Sequence, residues 1–234
     1  MRGKMKRNCL IVFLRFPEAG KVKTRLGAEI GDEAARRLYS CFVLDLLDML
    51  KKAGFRIRIG YDPPSSGEAV ASWLSFCGVH FFPQEGEDLG ERMKNAFRMS
   101  FREGFENAIL MGTDCPDLPR ERIDEGFRSL AAHDCVIGPA CDGGYYLIGF
   151  TRRGFLPSAF SGIPWGTGDV LKSTASVLSR AGRSLRLLTP WRDIDTLADL
   201  ENLAVNGDNG FRKSRTMQYL LSPGGPLSQV RADA

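Results

Sequence analysis

The chain alternates short apolar segments with longer amphipathic ones, and this alternation constrains its fold more than any other feature. Residues 8–14 and 107–112 have the length and apolar character of buried strands, whereas 32–54 and 89–104 carry apolar residues at helical spacing. Strands that alternate with helices form a mainly parallel sheet, because a parallel connection needs a long crossover. The sequence therefore predicts an α/β fold, a three-layer α/β/α sandwich around a mixed, mainly parallel sheet.

The remaining elements follow from the same patterns. Further strands are predicted over 55–61, 79–84, 134–140, 143–150 and 184–190. Further helices are predicted over 68–75, 119–132, 167–181 and 196–205. Segments 134–140 and 143–150 are too close together for a helical crossover, so we expect an antiparallel or mixed edge of the sheet there.

Length and composition limit the domain count and the partners. The 234 residues, 43% of them hydrophobic, suffice for one well-buried core, so we predict a single nucleotide-binding domain over 1–205. Residues 206–234 would form a C-terminal extension that is partly disordered. The net charge of +4 is spread along the chain, and no apolar run approaches a membrane span, so neither nucleic acid nor a membrane is an expected partner. The sequence leaves a homodimer open.

The six cysteines are scattered and form no Cys-x-x-Cys pair. This usage is typical of reduced thiols in a cytoplasmic protein, most of them small core residues. Cys115 stands beside an aspartate, but no histidine is evidently placed to activate it, and we discount a nucleophilic role.

A cationic loop follows the first predicted strand over 15–26, with the sequence RFPEAGKVKTRL. Within six residues it carries one glycine and three cations: Gly20, Lys21, Lys23 and Arg25. Exposed amides and cations in a glycine-containing loop can cradle phosphates, although a solvated basic loop explains the pattern equally well. It is not a Walker A motif, since the spaced glycine before Gly-Lys-Ser/Thr is missing.

Three aspartates stand where a cation site can form. Asp114 comes just past the predicted strand 107–112, and open α/β sheets bind ligands beyond such strand ends; a turn or helix cap is the alternative. Asp193 and Asp195 are two residues apart, so an extended backbone would point both carboxylates to one side, toward a divalent ion. Their DIDT sequence also resembles the DxDxT of aspartate-nucleophile phosphatases, an alternative that we discount because that motif belongs on a domain's first strand.

Two further stretches carry weaker signals. Gln84, at a predicted strand end, can pair with a base edge, and Gly90 would let a ring approach the backbone. A surface loop before a helix explains them as well. Asp142 precedes two glycines, a pattern that a tight hairpin turn alone would satisfy.

Six stretches in this order resemble the nucleotide-diphospho-sugar transferase superfamily, which has a Rossmann-like GT-A fold. They are RFPEAGKVKTRL, QEGEDLGERM, GTDCPDLP, DGGYYLIG, WGTGDV and DIDTLADL. More closely, the chain resembles a bacterial family of uncharacterised glycosyltransferase-like proteins, related to phospholactate guanylyltransferases and molybdenum-cofactor nucleotidyltransferases. The resemblance runs from about Cys9 to Leu203.

The resemblance implies a role for each group of matching residues. Nucleotide binding would fall to Arg15, Gly20, Lys21, Lys23, Arg25, Gln84 and Gly90. The metal ligands would be Asp114, Asp193 and Asp195. The acceptor pocket would be shaped by Gly143, Gly144, Trp165 and Thr167. The catalytic residues would be Lys23, Arg25 and Asp142.

The activity that the resemblance implies is transfer of a glycosyl or nucleotidyl group from a nucleotide or nucleotide-sugar donor to a small-molecule acceptor. It would depend on Mg²⁺ or Mn²⁺. Two alternatives stay open: guanylyltransferase-like transfer to a phosphorylated acid, and a non-catalytic module that only binds nucleotide.

Overall fold

The structure is a computed structural model that describes residues 8–51, 54–207 and 210–228. Within these residues, seven strands form one sheet in the order β3-β2-β1-β4-β6-β5-β7. The strands are β1 (Asn8–Arg15), β2 (Arg56–Asp62), β3 (His80–Pro83), β4 (Asn107–Met111), β5 (Cys135–Pro139), β6 (Tyr145–Thr151) and β7 (Leu185–Leu187).

The pairing of the strands is mixed and mainly parallel. Strand β1 pairs with β4, β2 with β3, and β5 with β7 in parallel, whereas β6 is antiparallel to both β4 and β5. The predicted fold class is confirmed. Antiparallel pairing of the segment 143–150 is confirmed as well, but its expected place at an edge was wrong, because β6 lies between β4 and β5.

Most of the observed helices were predicted from the spacing of apolar residues. They are α1 (Thr24–Ile30), α2 (Asp32–Leu50), α3 (Gly67–Trp73), α4 (Leu89–Arg102), α5 (Arg120–Ser129), α6 (Val170–Arg180), α7 (Leu197–Asn206) and α8 (Arg215–Leu220). The sequence did not predict α1, which occupies part of the expected loop, or α8, which lies in the expected extension. No helix of the described residues combines the length and apolar character needed to cross a membrane.

The described residues divide into two compact units. The first, here called the sheet unit, comprises 8–14, 54–112 and 119–192; the second, the helical unit, comprises 15–51, 113–118, 193–207 and 210–228. The single domain over 1–205 stays a prediction. We expected partial disorder in the extension 206–234. Part of that segment, residues 208, 209 and 229–234, lies outside the described residues.

The core of the sheet unit is aromatic and centres on α4. Phe97 is fully buried and meets the Phe150 ring edge-on at 5.3 Å between centroids, while Phe160 stacks at 5.7 Å. Asp88 is the N-cap of α4, and its side chain accepts a hydrogen bond from the Glu91 amide at 2.7 Å. This N-cap satisfies a helix-end donor that would otherwise lack a partner.

The core of the helical unit joins α2 to the C-terminal segment. Phe42 of α2 and Leu220 of α8 are fully buried in one apolar cluster. Asp45 of α2 accepts hydrogen bonds from the Arg215 and Thr216 amides at 2.9 and 2.8 Å. Because a carboxylate meets the exposed amides of the first turn, this contact fixes where α8 begins.

We predict that Gly149→Ala destabilises the sheet unit by about 1–3 kcal/mol, the usual cost of overpacking a core. A Cβ at this position of β6 would lie 2.6 Å from Ile109 Cγ1 and 2.9 Å from Val136 Cγ1. Urea unfolding measures the change. The matched control is Gly168→Ala, whose Cβ would meet only the Asp142 oxygen at 3.4 Å. Equal free energies of unfolding for the two variants would contradict the packing described here.

Candidate active site

A pocket of ≈ 280 Å³ in the helical unit combines cationic and acidic side chains. It is lined by Arg15, Lys21, Lys23, Thr24, Arg25, Asp114 and Asp195. The sequence predicted all of these residues except Thr24 as site residues. The structure thus brings the cationic loop together with two of the three predicted metal-binding aspartates.

Local backbone geometry shapes the cationic loop. Gly20 has φ +72°, and a Cβ there would lie 3.3 Å from the Asp32 carboxylate, so this position favours glycine. The Arg15 guanidinium donates to the Lys21 carbonyl at 3.2 Å. The loop is therefore held by its own side chains before α1 begins.

Lys23 is the central residue of the pocket. Among the described residues it is the one non-glycine with a positive φ, at 47°, a conformation that costs about 1–2 kcal/mol for an ordinary residue. Its carbonyl accepts the first hydrogen bond of α1, from Gly27, at 2.7 Å. Its side chain is only 4% exposed, and the ammonium lies 5.8 Å from the centre of the Phe42 ring.

The Lys23 ammonium forms ion pairs with two carboxylates. It contacts Asp114 Oδ1, and it donates to Asp195 Oδ1 at 2.8 Å. Burial by itself would lower the pKa of Lys23, but the two carboxylate charges outweigh it and raise that pKa above its ordinary value. Lys23 therefore stays charged, and a buried charge needs such partners.

The two carboxylates are more accessible than the ammonium between them. Their side chains are 48% exposed in Asp114 and 42% exposed in Asp195. The Ile194 amide donates to the Asp114 carbonyl at 2.9 Å, which aligns the two acidic segments. Asp199 then accepts from the Asp195 amide at 3.1 Å and completes a capping box with Thr196 at the start of α7.

Asp193 has a different partner from Asp195. Its Oδ1 accepts a hydrogen bond from the Cys115 thiol at 2.9 Å, whereas the pocket is lined by Asp195. Burial, reinforced by the Asp193 charge, raises the pKa of Cys115 well above its ordinary value. The thiol is therefore protonated, which agrees with our discounting it as a nucleophile.

The donor set of the pocket suits a divalent ion that arrives with phosphate. Within the described residues, no three or more His, Cys, Asp or Glu side chains gather as a ready-made metal cage. Mg²⁺, however, is usually held by one or two carboxylates together with substrate phosphates and water. Asp114 and Asp195 already converge on one cation, the Lys23 ammonium, so they fit this kind of site. The full ligand set with Asp193 stays a prediction.

Tyr39 of α2 contacts two segments next to the pocket residues, a role that the sequence did not predict. Its hydroxyl accepts a hydrogen bond from the Arg15 amide at 3.0 Å and lies 2.9 Å from Thr113 Oγ1. Burial raises its pKa to about 12, so the hydroxyl remains neutral. In the sequence Tyr39 is one more residue on the apolar face of a helix, and nothing distinguishes its hydroxyl.

The predicted base-reading residues have structural partners in the sheet unit. The Gln84 amide nitrogen donates to the Leu14 and Gly60 carbonyls at 3.1 and 2.9 Å, tying strand ends together. A Cβ at Gly90 would lie 2.4 Å from the Phe160 oxygen and 2.7 Å from Trp165 Nε1. Their roles toward a nucleotide stay predictions.

The predicted acceptor residues come together within the sheet unit. Asp142 accepts a hydrogen bond from the Gly144 amide at 2.9 Å, which closes the turn. Gly143 has φ +91°, and a Cβ there would lie 2.2 Å from the Gly168 oxygen. The DGGYY turn therefore packs on the WGTGDV loop that contains Trp165 and Thr167. Their role in an acceptor pocket stays a prediction.

With its mixed, mainly parallel sheet, the molecule has the fold of the nucleotide-diphospho-sugar transferases. Within that class the chain belongs to the family DUF2064, described as "Uncharacterized protein conserved in bacteria", whose model matches residues 46–167. A Desulfovibrio desulfuricans G20 protein described as a "putative nucleotide-diphospho-sugar transferase" is 41% identical, with a TM-score of 0.86 over 90% of this chain and 92% of that one. No curated protein matches the sequence.

More distant structures share the fold alone. A CMP:2-keto-3-deoxy-manno-octonic acid synthetase in complex with CTP is 12% identical, with a TM-score of 0.50 over 84% of this chain and 96% of that one. The Mycobacterium tuberculosis H37Rv protein Rv0371c in complex with manganese is 16% identical, with a TM-score of 0.52 over 86% and 99%.

We predict that Tyr39→Phe destabilises the protein by about 1–3 kcal/mol, since it removes the partner of the buried Thr113 hydroxyl and the acceptor of the part-buried Arg15 amide. Denaturant unfolding measures the loss. Tyr219→Phe on α8 is the matched control, because that half-buried side chain belongs to the same helical unit. A loss no larger in Tyr39→Phe than in the control would contradict the bridging role.

Proposed function

We propose that this chain is a transferase that moves a glycosyl or nucleotidyl group from a nucleotide donor to a small-molecule acceptor. The observation that carries the proposal is one pocket in which a cationic loop meets two carboxylates that converge on a single cation. Such a pocket suits a pyrophosphate or triphosphate that is accompanied by a divalent ion.

The charge and size of the pocket favour the phosphate part of a nucleotide. Four cationic side chains against two carboxylates leave the lining net positive. At ≈ 280 Å³ the pocket is slightly smaller than the range of about 300–1,000 Å³ typical of ligand sites, which suits phosphates more than a whole nucleotide-sugar. The base and ribose would then be bound elsewhere, where Gln84 and Gly90 are the candidates.

The roles of the pocket residues follow from their charges. Asp114 and Asp195, with Asp193 as the predicted third ligand, would hold Mg²⁺ or Mn²⁺, which would neutralise phosphate charge. Lys23 and Arg25 would stabilise the negative charge that develops on the leaving group. A hydroxyl acceptor needs a base, for which Asp142 is the candidate; a phosphate or carboxylate acceptor needs none.

The comparisons support the general class. The 41% identical Desulfovibrio protein carries the description of a nucleotide-diphospho-sugar transferase, one fold neighbour was solved with CTP and another with manganese. These ligands agree with a nucleotide donor and a divalent cofactor. We retain a cytoplasmic location as part of the proposal.

Asp114→Asn should weaken Mg²⁺-dependent nucleotide binding by at least about 10–100-fold, the loss caused by removing a residue that merely orients a metal ligand, because Asp114 is proposed to bind the metal directly. The measurement is isothermal titration with nucleoside triphosphates and nucleotide-sugars, with and without Mg²⁺. Asp117→Asn, three residues along the same loop, is the matched control. Equal affinity of Asp114→Asn and the parent protein at saturating Mg²⁺ would count against the assignment.

The reaction products separate nucleotidyl from glycosyl transfer. We expect pyrophosphate release with nucleoside triphosphates and phosphorylated acids if the chain is a nucleotidyltransferase, as in the guanylyltransferase-like alternative. Release of nucleoside diphosphate from a nucleotide-sugar would identify a glycosyltransferase. In either case Asp195→Asn should lose the product. Nucleotide binding without release of pyrophosphate or nucleoside diphosphate would indicate a non-catalytic binding module and would contradict the proposal.

A further inference from the structure

One cation already occupies the space in which the proposed metal would be bound. The Lys23 ammonium contacts the Oδ1 atoms of both Asp114 and Asp195, and it approaches them from the buried side. The carboxylates are about half-exposed, so an ion from solvent can reach them directly. The acidic pair thus lies between an internal cation and any external one.

Two cations cannot share the same pair of oxygens closely. Mg²⁺ bound by the same two Oδ1 atoms would lie about 2.0–2.1 Å from each of them, and therefore close to the ammonium that contacts both. At such separations the repulsion between cations is large compared with thermal energy, even with strong screening. This repulsion favours the departure of one cation when the other binds.

We infer that Lys23 and a divalent cation compete for the Asp114–Asp195 pair, so that metal binding exchanges the ammonium out of it. The inference rests on the proposed function, which supplies the second partner. The released ammonium would remain in the pocket that the donor phosphates enter, where it would form an ion pair with a phosphate oxygen. The Lys23 ammonium thereby neutralises the two carboxylates when no metal is bound.

The backbone of Lys23 suits such an exchange. Its left-handed conformation at the start of α1 is the kind of strain that persists where surrounding contacts impose it. The two ion pairs are contacts of this kind, and exchange removes them. Metal and phosphate should consequently bind cooperatively. The metal takes the carboxylates from the Lys23 ammonium, and the phosphate then provides a new partner for that ammonium.

The exchange is tested with Mn²⁺ alone, without nucleotide. Binding is measured by electron paramagnetic resonance of free Mn²⁺ in the parent protein, Lys23→Met and Lys21→Met. Both substitutions remove one positive charge from the same pocket lining, but the structure places only the Lys23 ammonium on the acidic pair. We expect Lys23→Met to tighten Mn²⁺ binding by about tenfold or more, and Lys21→Met to change it much less.

The outcomes separate the exchange from the proposed function. Equal Mn²⁺ affinity of Lys23→Met and Lys21→Met would overturn the exchange, even if Asp114→Asn abolishes binding and so preserves the metal site. If adding Asp114→Asn to Lys23→Met does not weaken Mn²⁺ binding, the acidic pair is no metal site and both ideas fail. Exchange without any nucleotide binding would support the inference and defeat the proposed function alone.

A second measurement needs no substitution and therefore does not depend on a variant's folding. The buried, hydrogen-bonded Lys23 ammonium should give its own nitrogen–proton correlation by nuclear magnetic resonance. Titration with diamagnetic Mg²⁺ should shift or remove this signal as the ammonium leaves the carboxylates. A signal that stays unchanged while Mg²⁺ saturates the protein would overturn the exchange.

Discussion

The ion pairs of Lys23 are the interaction on which the candidate site depends. A nearly buried ammonium is tolerated only when carboxylates offset its lost hydration, so its position requires both Asp114 and Asp195 close by. These residues come from separate parts of the chain, since Asp195 follows Lys23 by 172 positions. The hydrogen bond from the Ile194 amide to the Asp114 carbonyl fixes the acidic side of the same arrangement.

Most of the fold could be predicted, because the spacing of apolar residues and the turn residues between segments indicate the same helices and strands. Helix α4 buries residues at positions three and four apart, and β4 is a short apolar run before a turn. Helix α8 spans only six residues, and its start depends on Asp45 of a distant helix. Such short helices are determined by tertiary contacts and leave little trace in local periodicity.

The charged residues of the candidate site could be proposed from the sequence, whereas the contacts that hold them could not. The cationic loop and Asp114 stand out in the sequence by their residue types. The sequence argument for Asp193 and Asp195 assumed an extended backbone with both carboxylates on one side. In the structure the Asp193 carboxylate meets Cys115 and the Asp195 carboxylate meets Lys23, partners that the sequence does not reveal. The role of Tyr39 depends on two partners in other segments, which no local pattern reveals.

The acidic pair also bears on which anions the pocket accepts. A loop with four cations and no carboxylates would bind many small anions, because its attraction would be unopposed. Asp114 and Asp195 offset two of these four positive charges, which weakens the attraction of the lining for a bare anion. In the exchange that we infer, a phosphate chain arriving with a divalent ion would occupy the carboxylates and pair with the released ammonium. Such a complex would then be bound more strongly than a simple anion, which leaves the carboxylates on Lys23.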